Sequence, residues 1–532
     1  MTDLGAGGLG RSARFWLARL QNWRPQSGPD APALGLRDPW PGDPSRGARL
    51  IKGELEVGGT VLALKAGVFH AASATGAMLA HVHGFIWLRD LRALGTDAAR
   101  ARARALVLDF IETPMLDQAA LSPDIIGARL AAWLGHYDFF AASADDEFRQ
   151  ALMSRLVMDA RRLSAALPSE MLDARALTAL KGLAAASVAM PEHAAYLPRV
   201  LKFLGPELAR QIAPDGSHGE RSPAACLGLL QDLTETRALL QAAQISPPPE
   251  LVSAIDKTAG AVRALRHGDG GLALFNGSKE DLPSLIDLVL AQAGRARGTI
   301  ADLSGCGLYR LAAGKALVMM DAGVPALPGL DRLAHAGTLS FEFSWAKERI
   351  IVNCGAAPTS GGPWRDALRG TSAHSTLSIA DVSSSEIMQS GLGRRPRVVN
   401  AERQEAGNAA WVEANHDGWG QLFGAIHHRR IGLFATGEEL QGEDLIEAAQ
   451  PQPFNIRFHL HPNISASLQQ DQGAVILRTA SGVGFRLRAE GAEIRVEESV
   501  YLGHAAPRRA EQIVLAGHQD GPQHVKWSIT KI

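Results

Sequence analysis

Between about residues 75 and 295, apolar side chains recur every three or four positions, as they do along one face of an α-helix. The repeats are clearest in EFRQALMSRLVMDARRLSAAL, ARALTALKGLAAASVAM and SPAACLGLLQDLTETRALLQAA. Capping residues and helix breakers lie between them: SAD precedes one repeat, SP opens another, and PDG and PPP separate them. The pattern predicts an all-α array of successive helical hairpins.

After roughly residue 305 the period changes from helical to alternating. LYRLAAG and KALVMMDAG predict a hairpin, and short alternating runs separated by Gly, Asp and Asn continue to the C-terminus. The runs are LSFEFSW, RIIVNCG, HSTLSIAD, AAWVEANHDGW, IHHRRIGLFATGEELQGEDLIEA, FNIRFHLHPNISASLQQ, GAVILRTASGVGFRLRAEGAEIRVEESVYLG and QHVKWSITKI. They predict a large antiparallel β-sandwich.

The change of pattern divides the chain into three predicted segments. Residues 1–50, rich in Pro, Gly, Arg and Trp, are predicted to be an irregular lead-in. Residues 51–295 are predicted to form the α domain and residues 296–532 the β domain. A chain of 532 residues is also too long for a single hydrophobic core.

Composition narrows the class of protein. The chain is 46% hydrophobic and 20% charged with a formal net charge of −1, so no basic excess points to nucleic acid. Three cysteines lie far apart and without metal-ligand spacing, which predicts free thiols. The N-terminus lacks the order of regions typical of a signal peptide, and the longest apolar run contains three histidines, so neither an export signal nor a membrane span is expected.

Histidines stand at the ends of several predicted elements. His335 immediately precedes the strand LSFEFSW, and His374 lies at the start of another strand in TSAHSTLSIAD. A histidine can act as acid, base or metal ligand near neutral pH, but one at the start of a strand can also cap the hairpin by hydrogen bonding to nearby backbone groups. His218, Glu220 and Arg221 lie on a loop before a predicted helix, whose unpaired N–H groups favour an anion.

In their order along the chain, several motifs resemble the heparinase II/III-like proteins, a family of polysaccharide lyases and their relatives. The resemblance rests on GLYRLAAGKALVMMDAG, HAGTLSFEFSWAKERIIVNCG, LRGTSAHSTLSIAD, RFHLHP, DGSHGERSP and HGDGGLALFNGS, and it extends over roughly residues 40–532. It implies an N-terminal incomplete (α/α) toroid followed by a C-terminal antiparallel β-sandwich, with a substrate groove between the two.

The resemblance implies a carbon–oxygen lyase that cleaves an acidic, uronate-containing polysaccharide, such as a glycosaminoglycan, by β-elimination. A base takes the C5 proton, a cationic group offsets the charge of the uronate and of the developing enolate, and an acid protonates the leaving oxygen. The candidate catalytic residues are His335, His374, His218, Arg221 and Glu220. The candidate substrate-binding residues are Arg332, Arg369, Asn353, Trp419 and His416.

Two of these roles have structural alternatives. Trp419 either stacks on a sugar face or fills the core of the sandwich, and the arginines either bind a uronate or form structural ion pairs. Some family members bind zinc at positions that correspond to His335, Asn353 and His374. Because an amide oxygen is a weaker zinc ligand than a carboxylate, a hydrogen-bonded polar cluster competes with the zinc interpretation, and no cofactor is expected to be required.

The sequence also departs from the family pattern. Leu333 stands where the family has its catalytic histidine, Gly337 replaces an aspartate, and Ala225 takes the place of the tyrosine that follows Glu-x-Ser-Pro. The preceding helix offers only Arg175 and Lys181 to neutralise a uronate. These departures support a second hypothesis, a diverged member that binds glycan or serves envelope-polysaccharide assembly without cleaving.

A third hypothesis is a glycoside hydrolase with Asp215 and Glu220 as its carboxylates, although their closeness in one loop makes it awkward to span a glycosidic bond. The family implies a bacterial cell envelope or periplasm, whereas the missing export signal and the free thiols favour the cytoplasm. An acidic polysaccharide is the expected partner, and nucleic acid and a membrane are not. The sequence leaves the oligomeric state open.

Overall fold

A computed structural model describes residues 28–57, 60–64, 76–112, 119–294, 303–357, 363–397, 399–470, 473–504 and 506–532. Residues 1–27 of the predicted lead-in, part of the apolar run at 67–88 and the predicted boundary at 295–296 lie outside these ranges. Contacts divide the chain into a helical unit, within Met1–Arg210 and Gln231–Ile255, and a β unit, within Gln211–Leu230, Asp256–Ala357 and Gly361–Ile532. The domain boundaries predicted from the sequence stay predictions.

The predicted helical array is confirmed. In chain order, helices α1 to α12 are Pro44–Ile51, Gly76–Gly84, Leu88–Leu94, Asp97–Glu112, Pro123–Gly135, Tyr137–Phe140, Asp146–Ala166, Arg175–Ala189, Leu197–Gln211, Pro223–Ala242, Pro249–Ala264 and Pro283–Ala293. Two short helices, α13 (Pro363–Arg369) and α14 (Gly420–Phe423), lie among the strands. Short 3₁₀ helices span Ala119–Leu121, Pro191–Tyr196, Ser304–Cys306 and Thr371–Ala373.

Local chemistry explains where these helices begin and how they pack. The carboxylate of Asp145 accepts the N–H of Phe148 at 2.8 Å and caps α7. Helices α5 and α8 touch through their backbones, because a β-carbon on Gly182 would lie 2.2 Å from the Cα of Gly127. Among the described helices, none combines the length and the apolar character needed to cross a bilayer.

One helix corrects the prediction of an irregular lead-in. Helix α1 begins at Pro44, and the carboxylate of Asp43 accepts the N–H of Ser45 at 2.8 Å. Proline suits the first turn because that turn's N–H groups have no partner within the helix. The Pro-rich segment therefore ends in a capped helix.

The predicted antiparallel strands are also confirmed. Strands β1 to β20 are Glu54–Val57, Thr60–Ala63, Leu308–Ala313, Ala316–Asp321, Phe341–Trp345, Glu348–Val352, Leu377–Ile379, Ile387–Met388, Gly391–Leu392, Val399–Ala406, Ala409–Trp419, Ala425–Phe434, Glu439–Glu447, Gln452–Leu460, Ser465–Leu468, Ala474–Arg478, Gly484–Glu490, Glu493–Tyr501, Arg508–Gln519 and Gln523–Lys531. Within the described residues, one eight-stranded sheet has the order β10-β11-β12-β13-β20-β17-β16-β15. The other has the order β18-β19-β14-β6-β5-β4-β3, with β7 paired to β14.

The two large sheets share one hydrophobic core. Trp527 of the first sheet stacks on Phe341 of the second at 5.4 Å between ring centroids and meets Phe458 at 5.0 Å. Rings of this size bury the largest areas in a core and contribute most to its stability. Face-to-face packing of this kind defines a β-sandwich.

A buried charge is satisfied inside this core. Asp444, fully buried on β13, accepts hydrogen bonds from Arg429 Nε at 2.7 Å, His427 Nε2 at 2.7 Å and Trp527 Nε1 at 2.9 Å. Burial acts to raise the pKa of Asp444, but Arg429 and His427 outweigh it and hold that pKa below its usual value. The carboxylate therefore remains charged.

Candidate functional site

His335 and His374 lie side by side in the β unit. His335 precedes β5, and His374 follows the turn Thr371–Ala373. Nδ1 of His335 lies 3.0 Å from Nε2 of His374, and the rings meet edge to face with centroids 5.1 Å apart. Nδ1–H of His374 donates to the carbonyl of Gly370 at 2.8 Å, so its Nε2 accepts and His335 donates.

Gly337 makes room for this pair. A β-carbon on Gly337 would lie 2.6 Å from Cδ2 of His374 and 3.1 Å from its Cγ and Nε2. The imidazole thus occupies the space that any side chain at position 337 would need. The glycine at position 337, where the resemblance implies an aspartate, and the position of His374 are therefore physically linked.

Both imidazoles are neutral near pH 7. Burial lowers the pKa of His374 to about 4, and burial together with His374 and Arg369 holds the pKa of His335 well below its usual value. A general base is most effective when its pKa lies near the working pH. Neither ring has that property, and neither carries the positive charge that would offset a uronate.

Asn276 joins this pair to Arg221. The backbone N–H of His335 donates to Oδ1 of Asn276 at 3.2 Å, and Nδ2 of Asn276 donates to the carbonyl of Arg221 at 3.1 Å. The same Nδ2 lies 3.4 Å from Oδ2 of Asp321, which forms an ion pair with the Arg221 guanidinium. Three predicted residues, Arg221, His335 and His374, are thus brought into one network.

Two members of this network were missed by sequence reasoning. Asn276 begins an Asn-Gly pair and adopts a positive φ of 46°, and Asp321 is the last residue of β4. A polar residue at a turn or at the end of a strand is the feature of the sequence that could have marked each of them as a candidate site residue. Because Asp321 pairs with Arg221, the guanidinium is already neutralised within the protein.

His218 and Glu220 stabilise their own loop. His218 Nε2 lies 3.0 Å from Oε1 of Gln211, and its Nδ1 accepts the backbone N–H of Glu220 at 3.3 Å. The Glu220 carboxylate lies 3.7 Å from the same Nδ1. These bonds shape the segment that leads to Arg221.

Asn353 is engaged away from the histidine pair. Its Oδ1 accepts the N–H of Ser375 at 3.0 Å, and its Nδ2 donates to Oε1 of Glu342 at 3.3 Å. With both ring nitrogens of His374 also bonded, the three residues do not fit a zinc ion as they lie. Across the described residues, no group of three or more His, Cys, Asp or Glu side chains is arranged to hold a metal.

The predicted substrate-binding arginines differ in exposure. Arg369, only 3% exposed, donates to the carbonyls of Ala334 at 2.9 Å and of Met388 and Gly391 at 2.8 Å. Its guanidinium thus stabilises backbone turns. Arg332 is half-buried and lies three positions before His335 in the sequence.

Trp419 and His416 are both fully buried. Trp419 Nε1 donates to the carbonyl of Val382 at 2.9 Å, and its ring belongs to the sandwich core. His416 Nδ1 accepts the N–H of Gly418 at 3.1 Å, and its Nε2 lies 3.4 Å from Nδ1 of His427. As they lie, neither side chain is accessible to a sugar, and the surroundings of Trp419 match the core alternative; the substrate-binding role of both residues stays a prediction.

In the helical unit, the two candidate cations of α8 are paired. Lys181 Nζ lies 2.6 Å from Asp232 and 2.7 Å from Glu235, both on α10. Arg175 Nε lies 2.8 Å from Asp173. Burial acts to lower the pKa of Lys181, but the two carboxylates outweigh it and raise that pKa.

Asp215, the other carboxylate of the hydrolase hypothesis, also has a local role. It accepts the N–H of Ser217 at 3.0 Å and that of Gly305 at 2.7 Å. It therefore fixes its own turn and a neighbouring loop.

Comparison with known proteins agrees with this architecture. Residues 295–528 match the family model described as heparinase II/III-like, C-terminal. The FtsZ-localized protein C of Caulobacter vibrioides (strain NA1000 / CB15N) is 32% identical over 537 residues, which cover 94% of this chain and 91% of the relative.

Solved structures of low sequence identity share the fold. Heparinase III matches with a TM-score of 0.77 at 15% identity, over 100% of this chain and 92% of that one. The heparan sulfate lyase HepC from Pedobacter heparinus matches with a TM-score of 0.61 at 13% identity, over 98% and 88%. A helical N-terminal part followed by antiparallel sheets is thus the fold of heparinase III. Residues 295–528 carry the heparinase II/III-like C-terminal domain, and the chain belongs to the same family as the FtsZ-localized protein C.

Proposed function

We propose that this chain is a non-cleaving member of the family, which binds an acidic glycan, needs no cofactor and acts with the FtsZ-containing division machinery of a bacterium. The observation that carries the loss of cleavage is the contact between His335 and His374. Nδ1 of His335 and Nε2 of His374 are engaged in a hydrogen bond to each other at 3.0 Å, and both rings are buried and neutral.

Each chemical requirement of β-elimination lacks a suitable group among these positions. Ala225 and Leu333 carry no proton acceptor where the family has tyrosine and histidine. The remaining imidazole of His335 is a weak base because its pKa is depressed. The Arg221 guanidinium is paired with Asp321, and that of Arg369 donates to three backbone carbonyls, so neither is placed to offset the charge of an enolate.

The division machinery enters the proposal through the relative. That protein is named for its localisation with FtsZ, and its 32% identity extends over 94% of this chain. Similarity over nearly the full length supports a shared role more strongly than similarity of one domain. A location with FtsZ is therefore proposed here, in place of the periplasm that the lyases suggested.

A β-eliminating lyase is the second candidate, favoured by the fold shared with heparinase III and HepC. In that case His335 would be the base, with His374 and His218 in support and Arg221 offsetting the uronate. That mechanism requires the histidine pair to separate and Arg221 to exchange Asp321 for the substrate.

The purified chain, incubated with heparan sulfate, polygalacturonate, alginate and hyaluronan, tests the two candidates by ultraviolet absorbance of the unsaturated uronate product. We expect no product from the wild type or from His335→Ala, while titration calorimetry detects binding of at least one polymer. Product from the wild type that disappears in His335→Ala would establish the lyase. Product that persists in His335→Ala and His374→Ala would place cleavage on other residues and also refute the proposal.

Localisation is tested separately in the native bacterium. A fluorescent fusion of the full chain should coincide with labelled FtsZ, and the His335→Ala fusion should do the same because the histidine pair is buried. A wild-type fusion that is functional but evenly distributed would contradict the division role without affecting the enzymatic result.

A further inference from the structure

An open groove crosses the outer face of the sheet that contains β11, β12, β13, β20 and β17. It has a volume of about 490 Å³, and its polar lining includes Trp411, Arg430, Gln441, Glu443, Arg488 and Lys526. Binding sites for small molecules and oligosaccharides have volumes of this order. We propose that this sheet-face groove binds an acidic oligosaccharide segment; the choice of ligand rests on the glycan binding of the proposed function.

Strand register arranges the lining in two rows across the sheet. One row, read through successive strand pairs, is Trp411, Gly432, Gln441, Ser528 and Arg488. The neighbouring row is Glu413, Arg430, Glu443, Lys526 and Glu490. Since side chains two positions apart share a face, both rows point away from the core that holds Asp444 and Trp527.

A glycine shapes the aromatic end of the groove. A β-carbon on Gly432 would lie 2.3 Å from the ring of Trp411, so the indole lies directly on the backbone of β12. The Arg430 guanidinium stacks over the same ring at 4.2 Å from its centroid. The Trp411 ring and the Arg430 guanidinium together form one end of the groove, which is both aromatic and positively charged.

The charges of the lining favour an anion. Arg430, Arg488 and Lys526 outnumber the two carboxylates that line the groove, Glu443 and Glu490. Glu443 already receives His524 Nδ1 at 2.9 Å, and Glu413, beside the groove, lies 4.0 Å from Arg430 Nε. Arg488 is exposed on the far side of the groove from Trp411, across the row described above. A carboxylate or sulfate on a ligand would find guanidinium groups at both ends of the groove.

The position within the sheet favours a glycan over a peptide. Strands β12, β13, β20 and β17 are interior strands, so their backbone N–H and C=O groups already pair with neighbouring strands. A peptide could not add as a further strand there. Sugar hydroxyls instead match the amide of Gln441 and the hydroxyl of Ser528, while the indole offers a small apolar surface.

The test uses the full chain, with heparan sulfate and polygalacturonate oligosaccharides as acidic probes, dextran as the neutral probe and poly-glutamate as the peptide probe, in titration calorimetry. Arg488→Glu and Trp411→Ala should each weaken binding of the acidic oligosaccharide by about tenfold or more. Arg478→Glu is the matched control, because Arg478 is exposed on β16 of the same sheet and does not line the groove; its affinity should stay near that of the wild type.

The outcomes separate the two proposals. Acidic-glycan binding that is unchanged in both groove variants, with their unfolding midpoints equal to that of the wild type, would overturn the groove and leave the proposed glycan role intact. Absence of binding to every acidic glycan by the wild type would overturn both. Tighter binding of poly-glutamate than of the oligosaccharides would assign the groove to an acidic peptide and refute the inference, as would equal binding of dextran.

Discussion

The contact between Gly337 and His374 allows a quantitative prediction for Gly337→Ala. The added methyl carbon would lie 2.6 Å from Cδ2 of the imidazole, whereas carbon atoms in contact prefer about 3.5–4.0 Å. The ring cannot retreat freely, because it is 2% exposed and tied to the carbonyl of Gly370 at 2.8 Å. Overpacking costs about 1–3 kcal/mol, and turning the ring away from His335 loses a further 0.5–1.5 kcal/mol, roughly. We expect the free energy of unfolding of the β unit to fall by about 2–4 kcal/mol.

The measurement is urea unfolding of the full chain at pH 7, followed by tryptophan fluorescence and circular dichroism. Gly228→Ala is the matched control: Gly228 lies within α10, a β-carbon there meets nothing within 4 Å, and alanine favours the helix. That variant should be as stable as the wild type or more stable by up to about 1 kcal/mol. If Gly337→Ala unfolds at the same urea concentration as the control, the packing argument for the histidine pair is wrong.

Three further predictions concern buried charges and are checked by the same unfolding measurement. The folded-state pKa of His374 is about 4, below its usual 6.5, so the folded protein binds a proton there less readily than the unfolded chain. The contribution of His374 to the free energy of unfolding is therefore fully present above pH 6.5 and is lost as the pH falls toward 4. Over this interval the wild type should lose up to about 3 kcal/mol more stability than His374→Gln. Lys181→Met leaves two carboxylates of α10 without their ammonium and should destabilise the helical unit by about 2–4 kcal/mol, whereas Met at the exposed Lys347 should change stability by less than about 0.5 kcal/mol. Arg429→Met removes a guanidinium from the fully buried Asp444 and should cost about 3–5 kcal/mol, most of it recovered when Asp444→Asn is added. This account would be contradicted by destabilisation of the same size in the Lys347 variant, by none in Lys181→Met or Arg429→Met, or by an equal loss of stability at low pH in the wild type and His374→Gln.

Periodicity was sufficient to predict most of the fold. Helix α7 and strand β11 were predicted to within a residue or two, because an amphipathic period is a local property of the chain. Strands β10 and β19 were missed for different reasons. β10 is a charged strand at the edge of its sheet. β19 lies between β18 and β14, and its apolar residues Ile513–Leu515 are buried in succession, so its sequence shows no alternation.

The candidate site was less predictable, because burial and tertiary partners are not local properties. The resemblance placed His335 and His374 at one pocket, and the structure does bring them together. It could not indicate that Asn276 and Asp321 complete the network, since Asn276 lies 55 residues from Arg221 and 59 from His335, and Asp321 lies 100 residues from Arg221. Trp419 shows the same limit: the sequence allowed a sugar platform or a core residue, and only its surroundings decide.

The fit between position 337 and the imidazole of residue 374 bears on how such a protein can evolve. An aspartate at 337, as in the family pattern, has no volume to occupy while the neighbouring ring keeps its place. Introducing an acidic side chain at 337 would therefore require a second change that moves or shortens the side chain at 374. Evolutionary change at either position is expected to depend on the residue at the other.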